Sequence, residues 1–175
     1  MNRLHQWYCR SSHWQSTLDR LVPWALEGVT LGDHVLELGP GPGVVTSSLV
    51  AKAARVTAID LDPSANTTVR GDATRLPFPA GIFSAVVAFT MLHHVPSAGL
   101  HQQLFQEALR VLRPAGMIAG MDARSSIGLR LFHVGDVFRP LTPDELQSGL
   151  TAAGFQNVET GATGRYYRFR ASAPA

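Results

Sequence analysis

Cysteine is almost missing from this chain: Cys9 is the single thiol in 175 residues. No internal disulfide can form, so a reducing cytosol is the default setting. Charge is scarce as well, at 16% of residues with a formal net charge of +2, against ~25% in an ordinary soluble protein. There is no Lys/Arg-rich block of the kind that marks a nucleic-acid arm. The nearest approach, RYYRFR at 165–170, alternates in character and reads as a closing strand. Apolar runs are short, none approaching the ~20 residues of a membrane span, and the opening MNRLHQWYCRSSHW is too polar for a secretory leader. A soluble, cytoplasmic protein with no nucleic-acid and no membrane partner is the expectation. Repeats and low-complexity linkers are lacking too. What is abundant is apolar material, 45% of the chain, enough at this length for one domain, 1–175, with its own core.

Periodicity divides that domain. Residues 11–28 read as a helix with Leu18, Leu21, Val22 and Ala25 on one stripe, despite Pro23. His34–Leu38 is strand-like, Val44–Ala53 helical, and RVTAIDLD at 55–62 a second strand ending in carboxylates. IFSAVVAF at 82–89 is unbroken and apolar, the signature of a strand buried on both faces of a parallel sheet. Ser97 is a candidate N-cap for a helix to Leu112; GMIAGMD at 116–122 is a strand, 143–153 a helix, and FQNVET and RYYRFRAS two closing strands. Alternation of strand and helix predicts an α/β, Rossmann-like open sheet, mostly parallel, with helices on both faces and an antiparallel closing strand at the C-terminal end. Its parts would be a helical cap (1–30), a cofactor-binding core (33–122) and an acceptor-side segment with the closing strands (123–175).

The chemistry is concentrated in VLELGPGPG, 35–43. Glycine-rich turns from strand to helix commonly hold phosphates. The dinucleotide fingerprint, however, spaces its glycines Gly-x-Gly-x-x-Gly, and here Gly39, Gly41 and Gly43 alternate, with Val at 44. The triphosphate loop needs Gly-Lys-Ser/Thr, which is absent. Glu37, two residues before the first glycine, would repel a phosphate and attract an ammonium or sulfonium group. A cationic, phosphate-free cofactor such as S-adenosylmethionine fits. The plain alternative is that Glu37 points to solvent and the glycines only turn the chain.

Several motifs then fall in order: Glu-x-Gly-x-Gly-x-Gly after a strand, an acid ending the second strand, Gly-Asp-Ala-x-x-Leu-Pro-Phe, a long strand leading into Leu-His-His-Val, and Ala-Leu-Arg-Val-Leu-Arg-Pro-x-Gly. Over roughly residues 33–160 the chain resembles a class I S-adenosylmethionine-dependent methyltransferase. The resemblance implies that Glu37, Gly39, Gly41 and Gly43 cradle the methionine part of the cofactor, that Asp60, with Leu61 beside it, holds the ribose, that Asp72 and Ala73 face the adenine, and that Thr90 lines the methyl-donor side. Independently, ligands of open α/β sheets bind beyond the carboxyl ends of the strands, where Glu37, Asp60 and Phe89–Thr90 fall. Asp72 also has the position of a residue capping the next turn.

For catalysis, His93 and His94 are the candidate bases if the acceptor is a hydroxyl; packing or backbone hydrogen bonding are their ordinary alternatives. His133 and Asp136, in the long connection 125–141, are candidates to face the acceptor, and Trp7, Tyr8 and Trp14 to close over the pocket. The expected acceptor is a small molecule. FTMLHH stands where methyltransferases of planar amino groups carry Asn/Asp-Pro-Pro-Tyr, and the lack of a cysteine cluster argues against metalloids; no metal site is expected. A non-catalytic cofactor-binding relative and a nicotinamide-dependent oxidoreductase are the competing readings.

Two departures from the family pattern stand out. Only Pro63–Asn66 separates the second strand from TTVRGD, whereas a parallel crossover with its helix takes at least ~10 to 12 residues. Either the third strand is reduced to an irregular edge segment, or a deletion or absent residues account for the gap; shallower, weaker cofactor binding is the expected consequence. Ser84 stands where the family often has Asp, with little functional weight expected.

Overall fold

The computed structural model describes residues 3–175. Its centre is a seven-stranded sheet in the order β3-β2-β1-β4-β5-β7-β6. The strands are β1 His34–Leu38, β2 Arg55–Asp60, β3 Val69–Arg70, β4 Phe83–Phe89, β5 Leu112–Ala123, β6 Gln156–Thr163 and β7 Tyr166–Ser172. Strands β1 to β5 pair in parallel, and β7 inserts antiparallel between β5 and β6. The helices are α1 Arg3–Cys9, α2 Ser12–Ala25, α3 Val44–Val50, α4 Ala98–Val111, α5 Ile127–Phe132 and α6 Pro143–Ala153, with a 3₁₀ turn at Leu92–His94.

The alternation of side chains along each strand builds the two layers. Leu36, Leu38, Val86 and Ala88 face one way and pack with Leu104, Phe105 and Ala108 of α4 and with Leu146 and Leu150 of α6. Val35, Ala85 and Val87 face the other, against Trp14, Leu18 and Val22 of α2 and Val45 and Leu49 of α3. Glu37 shares the parity of Val35, so its carboxylate emerges on the α2/α3 face. That parity explains how an acid can sit inside a buried strand and still reach a neighbouring helix.

Helix ends follow their caps. Ser11 lies outside α2 as its N-cap, its Oγ accepting from the Trp14 N–H (3.2 Å), and Pro23 falls in the last turn of the helix. The predicted 11–28 helix is therefore shorter, and a separate short helix precedes it. Ser97 caps α4 as expected. Thr142, Pro143 and Glu145 form a capping box that starts α6. Strand β5 is longer than the predicted 116–122 because the chain passes from α4 into it without a loop.

In the structure the short connection leads to an irregular edge segment. Among the described residues no helix lies between β2 and β3, and β3 is two residues long. Residues 61–68 fold onto the sheet edge and the glycine turn instead: the Asn66 N–H donates to the Gly41 carbonyl (2.7 Å) and the Thr68 N–H to the Ala58 carbonyl (3.0 Å), while Thr67 Oγ1 donates to the same Ala58 oxygen (2.6 Å). Backbone groups that a longer crossover would satisfy are thus paired locally.

Ser84 has a structural role. Its Oγ accepts from the His34 N–H (2.9 Å) and donates toward the Leu31 carbonyl (2.6 Å), tying the entry of β1 to β4. Replacing it by Ala leaves a half-buried N–H without that partner. Ser84→Ala is expected to lower unfolding free energy by about 1 to 2 kcal/mol, read from urea midpoints at constant m-value, with affinity for the cofactor product unchanged.

Candidate active site

Beyond the carboxyl ends of β1, β2 and β4 lies a cavity of about 760 Å³, within the range usual for small-molecule sites. Its wall includes Glu37, Gly39, Gly41, Asp60, Leu61, Asp72, Ala73, Thr90, His93 and His94, so nearly every residue singled out from the sequence meets in one place. Gly43 is the exception. It sits behind the wall as the N-cap of α3 at φ 84°, and an added Cβ would fall 2.5 Å from the Asn66 amide nitrogen. Its glycine is required by the turn and by the shortened connection packed on it. Gly39 is constrained in a similar way: a Cβ there would lie 2.8 Å from Met91 Cβ, so only glycine lets the first loop approach the segment after β4. At Gly41 a Cβ would meet nothing within 4 Å, and its backbone is bared to the cavity.

Glu37 is 2% exposed. Thr46 Oγ1, in the first turn of α3, donates to Glu37 Oε2 (2.6 Å). Burial pushes the Glu37 carboxyl up to about 7, with the Thr46 hydrogen bond opposing and the nearby Asp60 charge adding to the rise. Asp60 closes the next strand: Oδ2 accepts from the Gly41 N–H (3.3 Å) and Oδ1 from the Asp62 N–H (2.9 Å). A carboxylate so placed keeps lone pairs for two further donors. Asp72 does cap its turn, Oδ1 accepting from the Thr74 N–H and Oγ1, both at 2.8 Å. Leu61 is 61% exposed and lines the cavity rim.

Thr90 ends β4 at φ 51°, a conformation that costs a β-branched residue roughly 1 to 3 kcal/mol. Its N–H is held by the Met121 carbonyl (2.8 Å), and the distorted turn delivers Leu92–His94 into the cavity wall. His93 is buried. Its Nδ1 lies 2.5 Å from Asp122 Oδ1 and its backbone N–H donates to Asp122 Oδ2 (3.0 Å). Burial works to raise Asp122, but the His93 charge and hydrogen bonds from His93 and from the Ala123 N–H outweigh it and hold the carboxyl below its ordinary value. Asp122 lies one residue before the end of β5, and its partnership with the turn after β4 could be found only by knowing that β4 and β5 are neighbours.

The segment 125–141 does reach the site. His133, buried at the end of α5, and Asp136 both line the cavity, and burial lowers the His133 imidazole from its ordinary value. Tyr8 and Trp14 line it as well, Tyr8 packing edge-on against Phe132 (ring centroids 5.4 Å apart). Trp7 is 68% exposed and lies outside the lining.

The donor set fits S-adenosylmethionine and not a diphosphate. A buried acid beside glycines that bring no side chain into the cavity suits a cationic amino-acid moiety, and the carboxylate ending β2 suits vicinal hydroxyls. Comparison with known proteins agrees. Residues 36–120 match the family model described as a methyltransferase domain. Among curated relatives, the demethylmenaquinone methyltransferase of Tropheryma whipplei is 28% identical over 123 residues, covering 63% of this chain and 48% of that protein. A ribosomal RNA small subunit methyltransferase A of Corynebacterium efficiens is 49% identical over 51 residues, covering 29% and 17%. The chain thus spans about half or less of the length of these relatives. A SAM-dependent methyltransferase from Archaeoglobus fulgidus superposes with TM-score 0.75 at 15% identity, covering 97% of this chain and 98% of that one. Residues 36–120 are thus similar to a methyltransferase domain, and the fold is that of a solved S-adenosylmethionine-dependent methyltransferase.

Glu37 also yields a stability test. Burial pushes its carboxyl up to about 7 in the folded protein, from 4.5 for an ordinary glutamate. Folding therefore binds a proton between those values; the stability this contributes is full below the lower value and lost as pH rises through the upper one. In ligand-free protein, Glu37→Gln is expected to gain on wild type as pH rises from about 5 to about 8, by up to roughly 3 kcal/mol. Parallel urea titrations across that range check it, and equal offsets at both ends would contradict it.

Proposed function

We propose that this protein transfers a methyl group from S-adenosylmethionine to a small molecule with an apolar body and an ionisable hydroxyl. The carrying observation is that one cavity joins a buried carboxylate and open glycine backbone to a histidine held by a buried aspartate. S-adenosylmethionine supplies a methyl group made electrophilic by its sulfonium. Glu37 would bind the cofactor's cationic amino-acid end, with Gly39 and Gly41 beside it; Asp60 would hold the ribose hydroxyls, Leu61 cover the rim, and Asp72 and Ala73 border the adenine. Gly43 would support this loop from behind.

On the acceptor side, Asp122 holds the His93 ring in the Nδ1–H form, which makes Nε2 the proton-accepting nitrogen. Such a base receives the hydroxyl proton as the oxygen engages the methyl, and most of the remaining acceleration is positional. His94, also in the wall, would orient the acceptor. Tyr8, Trp14, Leu129 and Phe132 give an apolar surface suited to a ring system. A relative acting on demethylmenaquinone supports an apolar acceptor. The ribosomal RNA relatives match over short stretches only, and neither a basic block nor Asn/Asp-Pro-Pro-Tyr supports a nucleic-acid substrate here. The N-terminal helices, the 33–122 core and the 123–175 segment would act as one domain, in the reducing cytosol that the lone Cys9 suits.

Calorimetry with S-adenosylhomocysteine on wild type and Glu37→Gln tests the cofactor end. Binding is expected to weaken by roughly 1.5 to 3 kcal/mol when the charge-assisted contact is neutralised, while NAD leaves the melting temperature unmoved. Unchanged affinity would remove Glu37 from the site, and stabilisation by NAD alone would restore the oxidoreductase reading. Binding without turnover across a wide panel of phenolic and quinol acceptors would identify a non-catalytic relative.

A further inference from the structure

A lone base does not need three histidines, yet His93, His94 and His133 meet here. One ring nitrogen from each lies within 4.8 Å of the other two. The rings come from two separate segments, the turn after β4 and the end of α5, and they pack on one another with centroids 4.3 to 5.3 Å apart. In each ring Nδ1 faces an oxygen acceptor: Asp122 Oδ1 for His93 (2.5 Å), the Val137 carbonyl for His94 (3.2 Å) and the Leu129 carbonyl for His133 (2.7 Å). Imidazoles held through Nδ1–H coordinate through Nε2, and carboxylate or carbonyl acceptors on the far nitrogen are the usual support of metal-bound histidines. His93 Nε2 is buried with no hydrogen-bond partner among the described residues, a cost that an ion would relieve.

We propose that His93, His94 and His133 bind one divalent transition-metal ion of the zinc class. Imidazole donors suit Zn²⁺ or Co²⁺, whereas Mg²⁺ and Ca²⁺ demand oxygen ligands. Three protein ligands leave a fourth position open, as in catalytic sites, and all three rings line the cavity. With each nitrogen ~2.0 to 2.1 Å from a tetrahedral ion, the nitrogens would stand about 3.4 Å apart. The separations, at most 4.8 Å, would then have to close by up to about 1.4 Å. Ion binding stands on this geometry alone; that the open position takes the acceptor oxygen rests on the methyltransferase reading. In the ion-bound protein His93 Nε2 is a ligand. The acceptor O–H then loses its proton to water, and the resulting oxyanion bonds to the ion, which makes that hydroxyl more acidic.

The test is a titration of tag-free protein with Co²⁺, followed by its visible d–d absorption and by displacement with Zn²⁺, with S-adenosylhomocysteine affinity measured in parallel. One ion per chain is expected, with a spectrum of low coordination number. His133→Ala should lose at least tenfold in Co²⁺ affinity and Asp122→Asn about 10- to 100-fold, with cofactor-product binding within about twofold of wild type. His94→Ala, at the more exposed ring, provides the same readout if His133→Ala does not fold. Co²⁺ binding no tighter in wild type than in a variant that still binds S-adenosylhomocysteine would overturn the site. Failure of S-adenosylhomocysteine to bind wild type would sink the cofactor reading and leave the metal result to stand by itself.

Discussion

Everything at the carboxyl edge of the sheet is arranged around one unfavourable act, the burial of the Glu37 carboxyl at the end of β1. Desolvation disfavours its ionised form, and among the described residues a single hydroxyl, that of Thr46, is recorded bonding to it. Thr46 is in place because α3 begins at Val44, and α3 begins there because Gly43 can take a left-handed turn. The strand, the turn and the helix therefore position one acid with respect to one hydroxyl. A cation entering the cavity would replace the solvation that burial removed. A phosphate would add a further anion beside Asp60 and Glu37, which is the physical reason the glycine turn does not read as a diphosphate loop.

The same edge shows how a fold tolerates losing a piece. A parallel neighbour normally arrives through a helix. Here residues 61–68 reach β3 directly, because threonine hydroxyls and backbone amides pair with Ala58 and Gly41 where a longer crossover would have covered the edge. Asn66 lies against Gly43, so the abbreviated connection and the glycine turn have become one packing unit. Leu61, the first residue of this connection, stands exposed at the cavity.

How legible this was in the sequence depended on the range of each interaction. Strand β4 was readable because an unbroken apolar run of that length has few other uses, and α4 because Ser97 caps it locally. Glu37, Asp60 and Thr90 were placed together by a rule of topology, and they do share a cavity. Helix α1, the true start of α2 at Ser12 and the extra length of β5 were not readable, since they depend on caps and on strand pairing more than on periodicity. Asp122 was read only as the last letter of a strand. Its partner is 29 residues away, and nothing local distinguishes a strand-end acid facing solvent from one clasping a histidine.

His133 carries the argument one step further. From the sequence it was a candidate acceptor contact in a long connection, separate from the pair at 93–94. The fold brings it within ring contact of both because α5 and the turn after β4 line the same cavity, where Tyr8 packs against Phe132. Imidazole rings gain little from crowding one another, and burial disfavours the charged form of His133. Three adjacent rings with their Nδ1 atoms all turned toward oxygen acceptors are thus an arrangement that hydrophobic packing does not require. A shared ligand at their centre would account both for the clustering and for the common orientation.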